Sequence, residues 1–160
     1  MIILGIDPGY ERIGYGVIRK EGSRLTCLEH GLVSTPKIAI PDRLAIIHTD
    51  VSALIEKWRP DAMATERQVF AANRTTALDV AKALGVIVYL SAHYGLPWSE
   101  YTPAEVKAGV VGQGNADKKQ VTFMVRRLLS LEKDPKPDDV ADALAIAILH
   151  SFRSNLVGRV

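Results

Sequence analysis

Asp7, Glu66, Asp138, Asp139 and Asp142 stand where a fold can bring them to one point. The run IILGID ends at Asp7 and is broken at once by Pro8-Gly9, which reads as a buried strand closed by a tight turn. A second short run, DAMATE, again ends on an acid, Glu66. Asp139 and Asp142 lie three residues apart at the start of a helical stretch. That spacing puts both carboxylates on one face, about 60° apart around the axis. Asp138 and Asp142 can share a face equally well, so spacing alone does not choose between Asp138 and Asp139. Each acid also has a plainer reading: Asp7 can cap a hairpin turn, and acids in a first helical turn are favoured by the helix dipole. Together they suggest more. Acids from two strand ends and a helix start repel one another unless they share cations, and all-oxygen ligands suit the hard ions Mg²⁺ or Mn²⁺. Two such ions about 4 Å apart activate a water and stabilise the leaving oxygen in phosphodiester hydrolysis.

No rival centre of equal quality is visible. The four histidines, His30, His48, His93 and His150, lack zinc spacing, and one cysteine cannot complete a site. Neither a phosphate-binding G-x-x-x-x-G-K-[ST] loop nor a dinucleotide fingerprint occurs. The single Cys27 rules out an internal disulfide framework and suits a reducing compartment, so a cytoplasmic protein is expected. No apolar run approaches the ~20 residues of a membrane span, and no membrane contact is expected. A net charge of +2 neither demands nor excludes nucleic acid, so the placement of charge matters more than its sum.

The elements that must position these acids follow from periodicity. Residues 1–6, 12–20 and 24–35 read as three strands, the last two joined as a hairpin by Glu21-Gly22-Ser23. Gly14 and Gly16 in the second strand leave room for another backbone or a phosphate. Apolar residues at spacings of three and four predict a helix over 42–58. A strand over 61–66 leads into an irregular stretch, 67–73. Residues 75–93 form a nearly all-apolar helix, as in a helix buried on several sides or shared with a second subunit. A strand over 98–101 precedes a short helix with Thr102 as N-cap, Pro103 first and Glu105 closing a capping box. After a glycine-containing turn over 110–116, residues 117–131 form a basic amphipathic helix, and residues 138–152 the last helix. The expected class is α/β: a mixed sheet, antiparallel first and βαβ afterwards, with helices on both faces.

GIDPG around Asp7, Glu66 at the end of ATE, VVGQGNADKKQV (110–121) and D-x-x-D-A-L-A-I-A from Asp139 resemble the RuvC family of Holliday-junction resolvases. The likeness runs in order over nearly the whole chain, to about His150. It implies a ribonuclease H-like fold, a five-stranded mixed sheet flanked by helices, and the chain length suits a single nuclease domain over residues 1–160. It selects Asp139 over Asp138 and makes Asp7, Glu66, Asp139 and Asp142 the catalytic and metal-binding acids. Two Mg²⁺ ions per site are implied, with Mn²⁺ able to substitute. Lys107 and Lys118 match lysines that touch the DNA backbone. Phe70 matches an aromatic that stacks on junction bases, in a loop whose spacing varies within the family. The resemblance further implies a homodimer that nicks four-way junction DNA symmetrically. It implies work beside a branch-migration motor of RuvA and RuvB type in recombination and DNA repair. A related ribonuclease H-like nuclease acting on structured RNA, an actin-like ATPase lobe suggested by D-P-G, and a non-catalytic DNA-binding module are the other readings. The length of 160 residues leaves no room for the second lobe that an ATPase needs.

Overall fold

Apolar alternation and two helix-capping boxes set the layout of the chain. The computed structural model describes residues 1–9, 11–67 and 74–157. Strands β1 (Ile2–Asp7), β2 (Arg12–Glu21) and β3 (Arg24–Ser34) come first, then α1 (Ile40–Trp58), β4 (Ala62–Glu66), α2 (Arg74–His93) and β5 (Trp98–Tyr101). Three helices close the chain: α3 (Pro103–Val111), α4 (Lys118–Leu128) and α5 (Asp138–Val157). The five strands form one sheet in the order β3-β2-β1-β4-β5. β1 and β3 flank β2 antiparallel, while β4 runs parallel to both β1 and β5. This is the five-stranded mixed sheet that the resemblance implies.

Two apolar layers cover the sheet. On one face Ile3, Ile18 and Ala64 meet α3, α4 and α5. On the other, Leu4, Ile6, Val17 and Met63 meet α1 and α2 through Ile47, Val51, Ile55, Ile87 and Leu90. The alternation along β1 is the period-2 rule of a strand buried on both sides.

Helix boundaries differ from the sequence reading for local reasons. α1 begins at Ile40 rather than Asp42, because Pro41 occupies the first turn, where its missing N–H costs nothing. α4 is shorter than expected at both ends. Asp117 is its N-cap, accepting from the Gln120 N–H at 2.8 Å, while the Gln120 side chain takes the Asp117 N–H at 2.9 Å. Its other end stops at Leu128, and Ser130 lies just beyond at a positive φ of 52°. α5 continues past Phe152 to Val157.

α2 also departs from expectation. Thr76–His93 has a mean hydropathy of 1.2, enough by length and composition to cross a membrane, although no run was expected to approach that. Here Val80, Ala83, Ile87 and Leu90 are spent on the core, while Leu78 and Tyr89 face outward, 58% and 57% exposed.

The fit of α5 on the sheet decides the site. A Cβ on Gly14 would overlap the carbonyl oxygen of Asp139, and one on Gly5 the carbonyl of Ala143. The space at Gly14 and Gly16 is therefore filled by a helix, with Leu144 against Gly16, and not by a phosphate. Ala143, Ala145 and Ala147 are fully buried, as a helix in such close contact requires.

Candidate active site

Asp7 and Glu66 reach the same edge of the sheet. β1 and β4 run parallel with Ile6 beside Thr65, so the next residues, Asp7 and Glu66, are neighbours at the two C-terminal strand ends. Both lie in strand phase with residues that face α5, Gly5 and Ala64. The first two turns of α5 lie over this edge, held down at Gly14, and they bring Asp138, Asp139 and Asp142.

Two bases that pair with these acids come from other elements. Arg12, at the start of β2, places Nη2 3.1 Å from Asp139 Oδ2. That oxygen is buried and accepts no well-aligned hydrogen bond, so the pairing is one of charge more than of hydrogen-bond geometry. Lys118, the first residue of α4, stands 3.7 Å from Asp142 Oδ2 and 3.5 Å from Asp138 Oδ2. The Asp117 cap explains why: it starts α4 where Lys118 projects into the cleft.

Charge crowding dominates the electrostatics. Burial, then Glu66, Asp142 and Asp139, push the Asp7 carboxyl up to about 8, while Lys118 pulls the other way. Glu66 is raised by burial and by Asp142, against Lys118 and Lys107. Asp142 is raised by burial, with Lys118 opposing and Asp138 and Asp139 adding. Lys118 is raised in turn, first by Asp142 and then by Asp138 and Asp7. A carboxyl held protonated beside three other acids is one whose ionised form lacks a counter-charge.

The donor set fits a hard divalent cation. Every donor is a carboxylate, Asp7 needs positive charge to ionise at neutral pH, and Asp139 Oδ2 is a buried oxygen without a hydrogen bond. The acids converge without closing into a finished cage: among the described residues no three His, Cys, Asp or Glu side chains are grouped tightly enough to hold an ion.

The sequence-derived residues are distributed as follows. Asp7, Glu66, Asp139 and Asp142 come to one cleft, with Lys118 between Asp142 and Asp138. Lys107, on α3, favours the ionised form of Glu66 through its charge. Asp138 points outward, 72% exposed, against 25% for Asp139. Phe70 lies outside the described residues. Sequence reasoning missed Arg12. Its only signal was a base just past the turn after Asp7, and that becomes legible only once β2 is seen to run beneath α5.

Comparisons with known proteins place the fold in a family. The family model described as crossover junction endodeoxyribonuclease RuvC matches residues 3–150. Crossover junction endodeoxyribonuclease RuvC of Alkaliphilus oremlandii is 49% identical over 97% of this chain and 95% of its own length. That of Heliobacterium modesticaldum is 52% identical over 92% of each. The structure of Thermus thermophilus RuvC in complex with Holliday junction substrate superposes with a TM-score of 0.93 at 36% identity, covering 98% of this chain and 96% of that one.

Proposed function

This chain belongs to the RuvC family of crossover junction endodeoxyribonucleases, and from that premise we propose how its acidic cleft works. The chain is a structure-selective endodeoxyribonuclease that resolves Holliday junctions by paired nicks, in homologous recombination and DNA repair. One observation carries the reading of the site: Asp7 and Glu66 end two parallel strands side by side under the start of α5 with Asp139 and Asp142, a crowding that with burial drives Asp7 up to about 8. Such crowding is costly for a protein that only folds, and useful for one that captures cations at a phosphate.

In this reading Asp7, Glu66, Asp139 and Asp142 hold two Mg²⁺ ions, and Mn²⁺ substitutes. Ions bound there would supply Lewis-acid stabilisation of the scissile phosphate and lower the pKa of a water for attack at neutral pH. The chain's own contribution is placement. The ends of β1 and β4 fix Asp7 and Glu66 on rigid backbone, and α5, clamped on Gly14, fixes Asp139 and Asp142 opposite them. Lys118 and Lys107 flank the acids, where each can take a phosphate oxygen of the cut strand. Arg12 stands against Asp139 and offsets part of its charge. Phe70, just beyond Glu66, stacks on junction bases; such stacking is worth about 1–3 kcal/mol per base.

Residues 1–160 act as a single nuclease domain and work as a homodimer through the outward face of α2, which leaves Leu78 and Tyr89 uncovered. A twofold axis then presents two clefts to two strands of like polarity, which makes the nicks symmetric. The motor partner in this reading is a branch-migration complex of RuvA and RuvB type.

The test is cleavage of a labelled, mobile four-way DNA junction with Mg²⁺, Mn²⁺ or EDTA, by the wild type and by Asp7→Asn. Paired, metal-dependent nicks that the variant loses while it still binds support the reading. Equal cleavage by Asp7→Asn, or preference for a structured RNA competitor, sinks it.

A further inference from the structure

The distal half of α5 carries side chains that the acidic cleft does not use. His150 is 7% exposed, and its Nδ1 lies 2.8 Å from the hydroxyl of Tyr101. Tyr101 closes β5 directly beside Glu66, its register partner. Nearly one turn further along α5, the Arg153 guanidinium sits over the Tyr101 ring, 5.0 Å from its centre. The same guanidinium donates to Glu105 Oε1 at 2.9 Å. Glu105 Oε2 accepts from the Thr102 N–H at 2.8 Å and the Thr102 hydroxyl at 3.0 Å, which completes the cap of α3. At the far end of α3, Gly109 is pressed against Leu149, where a Cβ would overlap Cδ1.

α3 is thus tied to α5 at Leu149 and Arg153, while His150 ties α5 to the end of β5, from which α3 starts. α3 carries Lys107, two residues after Glu105, and it starts directly after Tyr101, the register partner of Glu66, so it leaves the sheet at the acid-bearing edge. One helix, α5, therefore does two tasks: its first two turns supply Asp139 and Asp142, and its distal turns hold the element that brings Lys107.

We propose that Arg153, acting with Tyr101 and His150, is a positioning residue that locks α3 onto α5 so that Lys107 stands beside Glu66 to receive a phosphate of the DNA. The proposal rests on the reading of Lys107 as a phosphate contact. The Arg153 side chain is 43% exposed, so Arg153→Met removes the lock without opening the core.

The experiment is a double-mutant cycle on binding of a labelled four-way junction in EDTA, where cleavage is blocked. Lys107→Met is expected to weaken binding about tenfold and Arg153→Met about three- to tenfold. The double variant should bind within about twofold of Lys107→Met alone, because the lock acts through that lysine. Arg153→Lys should recover most of the loss, and Tyr101→Phe, which keeps the ring, should reproduce part of it. Full multiplication of the two penalties overturns the proposal, since it means that Arg153 acts independently of Lys107. So does wild-type binding by Arg153→Met while Lys107→Met is impaired, which sinks the lock and leaves the lysine's role intact. Wild-type binding by Lys107→Met removes the phosphate contact itself, and the lock falls with it.

Discussion

Gly14 of β2 lies directly beneath the carbonyl of Asp139, so close that the smallest side chain would overlap that oxygen. The second residue of the acid-bearing helix is thereby seated on the strand next to the one that carries Asp7. Gly14→Ala must lift the start of α5 away from the sheet. Overpacking of this kind costs about 1–3 kcal/mol in stability. Cleavage should suffer more, by about 100-fold, since a misplacement near 1 Å is enough for that. Chemical denaturation and junction cleavage measured on the same sample test whether activity falls further than stability explains.

Asp7→Asn should make the metal-free protein more stable, although it abolishes cleavage. The buried carboxyl keeps its proton up to about 8 in the fold, against an ordinary value of 3.8. Between those values the folded state holds the extra proton, so wild-type stability from this group falls as pH rises through the window and is lowest above pH 8. Asparagine has no such dependence. The stability gap between variant and wild type should therefore be widest above pH 8, at a few kcal/mol, and close towards pH 4. Thermal melts in EDTA across that range decide it. A variant no more stable than the wild type at pH 8.5 would show that Asp7 is not crowded.

Adding Mg²⁺ should reverse that order. A cation that binds only the folded state raises its stability by mass action. The melting temperature of the wild type should rise with Mg²⁺ at pH 8, and that of Asp7→Asn should rise far less. Equal shifts in the two proteins would place the ion elsewhere.

Lys118 reaches both Asp142 and Asp138, and a phosphate entering the cleft would compete with them for its charge. Lys118→Met should lower the cleavage rate. It should also reduce the slope of log affinity against log salt by about 0.9, the loss of one phosphate contact on duplex DNA. Titrations of junction binding at several salt concentrations measure the slope, and an unchanged slope would confine Lys118 to a structural role.

The outward face of α2 should be a subunit contact. Leu78→Asp and Tyr89→Asp add charge at positions that are 58% and 57% exposed, so the fold should tolerate both. Light scattering should show the wild type as a dimer and the double variant as a monomer whose melting is no longer concentration-dependent. A dimer that survives both substitutions would move the contact off this face.

Much of this protein is local in origin and was legible from the chain. Asp7 and Glu66 end short apolar runs, and such runs become central strands because their alternate residues must be buried on both sides. Thr102 with Glu105 and Pro103 marks the start of α3 through hydrogen bonds spanning three residues, which need no knowledge of the fold. The order and spacing of the acids around those elements were enough to suggest a divalent-cation nuclease. What the chain left open was long-range. Asp138 and Asp139 are equivalent by spacing, and they separate only because α5 is turned by its seat on Gly5, Gly14 and Gly16, leaving Asp138 outward and Asp139 against Arg12. Arg12 itself, the lock from Arg153 to Glu105 and the crowding that lifts Asp7 all join residues far apart in sequence. Burial and Coulomb interaction depend on distance through space, so only the packed helix and sheet could decide them.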